Sequence, residues 1–204
     1  MGSKMGTTRF LGPVLSLLVI SCANEGGPVA VDATWNLTCP SGGEVDCGAP
    51  APETCLDDGI GVYERSIVGE HGQTSCTGDP IIASCEAIDR STGTSIRLEA
   101  SVGNPFPDFA FQMDALIGMD GATVSACNVT IVEDQLAYDM GSCGTEPPSI
   151  EQPCQLSSIS VDGSDISFDL QCESLWSSVT LQGFDVGATG GGPTTIRFAN
   201  CAGF

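Results

Sequence analysis

The sequence predicts an all-β fold: a disulfide-stapled antiparallel β-sandwich, with an open barrel as the alternative architecture. Most of the chain after residue 90 alternates between apolar and polar residues, which is the period of a half-buried strand. Residues that tolerate tight turns separate these runs, and 11 cysteines in 204 residues indicate disulfide cross-links. The length fits one domain, and a hydrophobic content of 41% is enough to build a core.

Residues 1–21 have the pattern of a lipoprotein signal peptide. Lys4 and Arg9 precede an apolar run from residue 10 to residue 20, which is shorter than the roughly 20 residues of a membrane-spanning helix. The run ends in Val19-Ile20-Ser21-Cys22, which resembles the lipobox of bacterial lipoproteins. The resemblance implies cleavage before Cys22, attachment of acyl chains such as palmitate to that residue, and a flexible tether over residues 22–33. An ordinary secretory signal is the alternative.

Residues 34–204 are predicted to form a single cysteine-rich β-domain. Its first strand, around Trp35, is expected to place that indole in the core. Residues 34–90 have many glycines and, except for residues 62–68, little alternation, so we expect a loop-rich layer there and regular β-structure over residues 91–204.

Individual strands after residue 90 follow from the alternation. Two strands are predicted to bury Ile96, Leu98, Ala100 and Val102, and then Phe109, Phe111, Met113, Ala115 and Ile117. A change of apolar phase between residues 122 and 133 predicts a β-bulge. A hairpin is predicted to pair residues 156–161 with 166–172, a last strand covers 194–201, and residues 133–140 are read as a single helical turn. About nine or ten strands are expected.

The cysteines that remain after Cys22 is assigned to lipid are even in number, which favours five disulfides in an exported chain. They are Cys39, Cys47, Cys55, Cys76, Cys85, Cys127, Cys143, Cys154, Cys172 and Cys201. Ten cysteines allow roughly 945 connectivities. We expect local closures, such as Cys76 with Cys85 and Cys127 with Cys143. No Cys-x-x-Cys motif is present, which disfavours zinc and thioredoxin-like redox chemistry.

The charge is strongly acidic, with 26 Asp and Glu against six Lys and Arg. Nucleic acid is therefore excluded as a partner, because phosphate binding needs clustered basic residues. The acidic surface has two further interpretations, adaptation to salty surroundings and binding of Ca²⁺. The candidate calcium ligands are Asp57, Asp58, Asp162 and Asp165, in two turn sequences that each offer a pair of carboxylates. No other cofactor is expected.

Catalytic motifs are absent from the sequence. There is no Gly-x-Ser-x-Gly motif, and His71, the one histidine, lies in a polar loop sequence without a nucleophile. We therefore expect no enzymatic activity. The alternative is a secreted hydrolase that uses a pair of carboxylates, as glycosidases do. Trp176 lies in a polar stretch and is the candidate for an exposed aromatic ring that contacts a glycan or a protein partner.

Taken together, the lipobox at Cys22, the Gly/Pro tether, the strand around Trp35 and the closing strand ending at Cys201 resemble the uncharacterised cysteine-rich acidic lipoproteins of Gram-negative bacteria. That resemblance implies a lipid anchor in the outer membrane and a periplasmic or surface-exposed domain with a structural, adhesive or binding role. Trp35 also gives a weak similarity to lipocalin-like carriers of small apolar ligands. The chain departs from that family in having Ala33 where a glycine is usual.

Overall fold

The computed structural model describes residues 27–38, 63–75, 77–103, 105–133, 135–179, 183–188 and 190–203. Several predicted features lie outside these residues. They are the signal peptide, Cys22 and the first part of the tether, four cysteines (Cys39, Cys47, Cys55 and Cys76) and two calcium candidates (Asp57 and Asp58).

Eleven strands follow one another along the described chain: β1 (Ala30–Thr38), β2 (Tyr63–Glu70), β3 (Ile81–Arg90), β4 (Gly93–Val102), β5 (Phe109–Gly118), β6 (Val124–Glu133), β7 (Leu136–Gly144), β8 (Cys154–Asp162), β9 (Asp165–Trp176), β10 (Gly183–Gly187) and β11 (Thr194–Ala199). The predicted all-β class is confirmed. No helix in the described part of the chain is long and apolar enough to cross a membrane.

All 11 strands belong to one hydrogen-bonded sheet. From β3 to β7 each strand pairs antiparallel with the next, and β8 pairs antiparallel with β9. Strands β10 and β11 each pair with β9 on one side and with β1 on the other, so together they occupy a single strand position in the sheet. Strand β2 pairs with the other side of β1. The junction between β7 and β8 is short and parallel, with only two residue pairs.

The sheet folds so that its two halves face each other across one apolar core. The ring of Phe111 on β5 lies 6.2 Å from Phe168 on β9 and 6.4 Å from Phe198 on β11, measured between ring centroids. Trp35 on β1 is fully buried and lies 6.3 Å from Phe111. This facing arrangement is the packing expected of a sandwich, with the two halves linked through hydrogen bonds at β7–β8.

The alternation predicted the buried faces of the regular strands correctly. Every residue predicted to be buried on β4 and β5 lies in the core, as does Trp35. The predicted bulge is also present: the register between β5 and β6 shifts after Asp114, and Ala126 has a positive φ of 45°. Two-residue turns follow β3 and β8, as their sequences predicted.

The structure differs from the sequence prediction at three places along the chain. Strand β1 begins at Ala30, four residues before Thr34, and Val31 and Ala33 are buried, so the last part of the predicted tether is core structure. Residues 81–90 of the predicted loop-rich layer are strand β3, and strand β2 covers residues 63–70, where residues 62–68 were the one alternating stretch of that layer. The helical turn predicted for residues 133–140 is a tight turn followed by β7, with Gln135 at a φ of 67°.

All six cysteines in the described ranges form disulfides. Cys127 pairs with Cys143, as predicted, and Cys154 pairs with Cys172. These four residues form one row across β6, β7, β8 and β9. The predicted Cys76–Cys85 pairing is wrong, because Cys85 bonds to Cys201 across 116 residues of sequence.

The Cys85–Cys201 disulfide forms because the segment after β11 runs along the edge of β3. After β11 the carboxyl-terminal segment crosses to the free edge of β3, where Ala202 accepts a hydrogen bond from Ala87 and donates one to Cys85. The backbone of the last residues thus covers an edge strand that would otherwise expose unpaired N–H and C=O groups. This long-range contact brings the two sulfur atoms together.

Candidate functional site

The described residues form an apolar cleft of about 740 Å³ between β7, the β7–β8 loop and β9. Its lining consists of Met140, Ser149, Ile150, Pro153, Glu173, Ser174 and Trp176. Trp176 is 41% exposed, Met140 is 52% exposed and Ile150 is fully exposed. A concave surface lined mainly by apolar side chains with a few polar groups is the usual composition of a ligand site.

A β-bulge on β9 is the reason that Trp176 is exposed. Up to Cys172 the even-numbered residues of β9 face the core, and continued alternation would bury residue 176 as well. Glu173 and Ser174 instead lie together opposite Asp185 of β10, and Ser174 has a φ of 57°. The extra residue reverses the phase, so Leu175 is buried and Trp176 points outward.

Asp185 holds this bulge in place. Its Oδ1 accepts a hydrogen bond of 2.8 Å from the backbone N–H of Ser174, which the bulge removes from the regular ladder. On the neighbouring strand, a Cβ atom at Gly183 would lie 3.1 Å from the Trp176 ring and 2.8 Å from the carbonyl oxygen of Leu175. Glycine at position 183 therefore lets the indole lie directly over the backbone of β10.

A second bulge supplies the opposite wall of the cleft. Asp139 and Met140 of β7 lie together opposite Thr130 of β6, so two consecutive side chains are exposed. Met140 enters the cleft. The Asp139 carboxylate accepts hydrogen bonds from the backbone N–H of Ser178 at 2.9 Å and from its hydroxyl at 2.8 Å. These bonds connect β7 to the turn that follows Trp176.

The same hydrogen bonds perturb the titration of Asp139. Its pKa lies below the ordinary value of 3.8, first because the Ser178 N–H donates to the ionised carboxylate and second because the Ser178 hydroxyl does so. The carboxylate is therefore charged at neutral pH, and the turn stays attached to β7.

Residues 149–153, which form the loop wall of the cleft, are held by backbone hydrogen bonds within the loop and to β9. Ser149 N–H donates to the Gln152 carbonyl at 2.8 Å, and the Glu173 N–H of β9 donates to the Pro153 carbonyl at 2.8 Å. The Cys154–Cys172 disulfide adjoins this contact. The walls of the cleft are thus fixed to the sheet on both sides, which is typical of preformed ligand sites.

The charge at the cleft is negative. Glu173 is exposed and is the one acidic side chain in the described lining. The sequence has no Lys, Arg or His from Leu98 through Ile196, a stretch that includes all the described lining residues. A hydrolase that uses two carboxylates, the predicted alternative, would need a second acid beside Glu173. A smaller depression of about 260 Å³ adjoins the cleft and includes Asp185, whose carboxylate is engaged with Ser174.

The other predicted site residues lie elsewhere. Asp162 and Asp165 face each other at the ends of the β8–β9 hairpin, both exposed, and within the described ranges no group of three or more His, Cys, Asp or Glu side chains is arranged to hold a metal. The backbone N–H of Ala83 donates to Nδ1 of His71 at 3.1 Å, so this histidine supports the β2–β3 connection. Calcium binding remains a prediction.

One buried ion pair was not predicted from the sequence. Arg65 of β2 donates from Nε to Oε2 of Glu133 on β6 at 2.8 Å, and the two residues are 6% and 2% exposed. The Arg65 guanidinium also lies 5.5 Å from the centre of the Phe109 ring. The pair connects the two facing halves of the sheet within the core, so it is structural and not part of the cleft.

No protein-family model, curated protein or solved structure matches this chain. The sequence identified Trp176 as an exposed aromatic residue but missed Met140, Ile150 and Glu173, which are distant from one another in sequence. The signals for these residues were the breaks in alternation at residues 139–140 and 173–174, which mark the two bulges.

Proposed function

We propose that this chain is a lipid-anchored binding domain of the bacterial cell envelope, positioned outside the cytoplasm and without catalytic activity. The observation that carries the binding role is the cleft beside Trp176, where an exposed indole, Met140 and Ile150 form an apolar surface on a rigid sheet. The lipobox-like sequence ending at Cys22 supports the anchor. The buried disulfides support an oxidising compartment.

The position of the cleft suits a tethered domain. The first residue of β1, Ala30, pairs with Ala199, at the end of the sheet where Phe198 pairs with Ile166 of β9. Trp176 lies ten residues further along β9, a distance of roughly 33 Å at about 3.3 Å per residue. The cleft therefore lies at the end of the sheet opposite to the end where β1 begins.

The interior offers less support for the carrier alternative. A lipocalin-like carrier holds its ligand inside the β-structure, whereas here Trp35, Phe111 and Phe168 fill the space between the facing halves. The apolar cleft lies on the outside of the sheet. We therefore place ligand binding at the surface.

Metabolic labelling with an alkyne-bearing fatty acid tests the anchor. We expect the wild-type chain to incorporate the label and to fractionate with membranes, and a Cys22→Ser variant to lose both properties. Asn24→Ser, two residues further along, is the matched control and should behave as wild type. Equal labelling of the Cys22→Ser variant, or no labelling of any chain, would contradict the proposal.

A further inference from the structure

We propose that the cleft beside Trp176 binds a small organic cation with an apolar body, whose charge lies between the Glu173 carboxylate and the Trp176 ring. The inference deepens the proposed binding role and rests on it. It names the chemistry of the ligand, which neither the fold nor the anchor specifies.

The size and lining of the cleft fit a small molecule. Its volume of about 740 Å³ falls within the roughly 300 to 1,000 Å³ of small-molecule sites. Met140, Ile150 and Pro153 offer an apolar surface, while Ser149 and Ser174 add a few polar groups. Such a lining binds the body of a ligand through burial of apolar area and orients it through few polar contacts.

The charge of the ligand follows from the groups around the cleft. An exposed carboxylate and an exposed indole face are the two groups that attract organic cations, the first by Coulomb attraction and the second through its negative ring face. Glu173 and Trp176 are three residues apart on β9 and both line the cleft. None of the described lining residues is a Lys, Arg or His, so the described lining itself supplies no cation to either group.

Other occupants fit less well. An anionic ligand would approach Glu173 on a chain with a formal charge of −20. A second copy of the chain would bring an equally negative surface to the cleft, and the repulsion is strongest at low salt. A neutral sugar would use the Trp176 ring but would gain nothing from Glu173.

Calorimetric titration of the full mature chain with two ions of the same shape and opposite charge tests the proposal. Tetraphenylphosphonium is the cationic probe, and tetraphenylborate is its anionic counterpart. We expect saturable binding of the cation at one site, with an affinity at least about tenfold above that of the anion. Equal affinity for the two ions, or no saturable binding of the cation, would overturn the proposal.

Variants separate the local site from the overall negative charge. We expect Glu173→Gln to weaken cation binding about three- to tenfold, because it removes the carboxylate beside the bound charge. Asp162→Asn removes the same charge at the opposite end of β9 and should change the affinity less than about twofold in about 0.15 M salt, where screening acts over about 8 Å. Equal effects of the two substitutions would overturn the proposal, because the attraction would then be diffuse.

The role of the indole has its own readout. Trp35 is buried and Trp176 is exposed, so collisional quenching by acrylamide reports on Trp176. We expect the cation to protect the fluorescence from quenching, and Trp176→Leu, which keeps an apolar side chain, to weaken cation binding about two- to fivefold. Phe106→Leu changes an exposed ring outside the cleft and should have no effect. Cation binding unchanged in Trp176→Leu would contradict the assignment.

Failure of this inference is distinguishable from failure of the proposed function. Fatty-acid labelling at Cys22 without cation binding would retain the anchored domain and reject the ligand chemistry. Cation binding without labelling would retain the site and reject the anchor.

Discussion

Arg65 and Glu133 form a buried ion pair that joins the two facing halves of the sheet. Neither residue is distinguishable from a surface charge by its sequence neighbourhood, since both lie in alternating strands. Their burial results from the packing of the half of the sheet that contains β2 on the half that contains β6, which local periodicity does not specify. The charges are stabilised by each other and, for Arg65, by the Phe109 ring.

Removing one member of this pair should be costly. We expect Glu133→Gln to lower the free energy of unfolding by about 3–5 kcal/mol, because it removes the negative charge that faces Arg65 in the core. Arg97 and Asp114 provide the matched control, an ion pair with the same N–O distance of 2.8 Å but with side chains that are 72% and 60% exposed. Asp114→Asn should cost much less, because water and salt screen an exposed ion pair. Similar losses for the two variants in denaturant titrations would contradict the burial of the first pair.

Asp139 gives the cleft a defined response to pH. Because the folded-state pKa is below the ordinary 3.8, the carboxylate stabilises the turn at and above that pH and loses this effect as the pH falls through the folded-state value. We expect acrylamide quenching of Trp176 to stay constant from pH 8 to about pH 5 and to change only below about pH 4. Asp139→Asn should show the altered quenching already at pH 7. A transition near pH 6 would contradict this assignment.

At the scale of strands, local alternation was enough to predict which faces of β4, β5 and β9 are buried, because one face of each strand packs on the core. It was not enough for β7 and for the end of β9. There, bulges at residues 139–140 and 173–174 change the phase, and each bulge depends on the strand opposite it. The cleft forms at these two irregularities, so its residues could not be grouped from the sequence.

The disulfides were predicted only in part from the spacing of the cysteines. The expectation of local closures gave Cys127–Cys143 correctly, because these residues face each other in one hairpin. It failed for Cys85, whose partner comes from the carboxyl-terminal segment that covers the edge of β3. A disulfide that depends on which sheet edge a distant segment reaches cannot be predicted from the sequence around either cysteine.

The three described disulfides should differ in their effect on stability. The Cys85–Cys201 bond spans 116 residues and the Cys127–Cys143 bond spans 16. Chain-entropy estimates are about 5 kcal/mol for the longer span and about 3 kcal/mol for the shorter one. We therefore expect the Cys85→Ala, Cys201→Ala double variant to lose more unfolding free energy than the Cys127→Ala, Cys143→Ala variant. The reverse order in denaturant titrations would contradict the role of the carboxyl-terminal segment as a closure.

For the whole molecule, the dominant property is the negative charge. Self-repulsion among the acidic residues should be screened by salt, so we expect the Tm to rise between about 0.05 M and about 1 M NaCl. CaCl₂ at equal ionic strength should give the same rise if screening is the cause. An additional stabilisation by millimolar CaCl₂ would favour the predicted calcium sites instead, and its loss in Asp162→Asn, Asp165→Asn would assign it to the β8–β9 hairpin.

The proposed function combines a membrane anchor at one end of the domain with binding at the outward-facing cleft. Composition and alternation were enough to predict the fold class, which depends on properties spread along the chain, whereas the compartment stays a prediction. The proposed ligand chemistry required the structure, because Glu173 and Trp176 meet Met140 and Ile150 only after β7, β8 and β9 assemble.

The intact mass of the protein, extracted from native membranes and alkylated without reduction, tests this account most directly. We expect a mass equal to residues 22–204 plus acyl chains, with no alkyl adducts, because the proposal assigns lipid to Cys22 and disulfides to the ten remaining cysteines. An unacylated chain would contradict the membrane anchor. Alkyl adducts on the mature cysteines would contradict the fully disulfide-bonded domain.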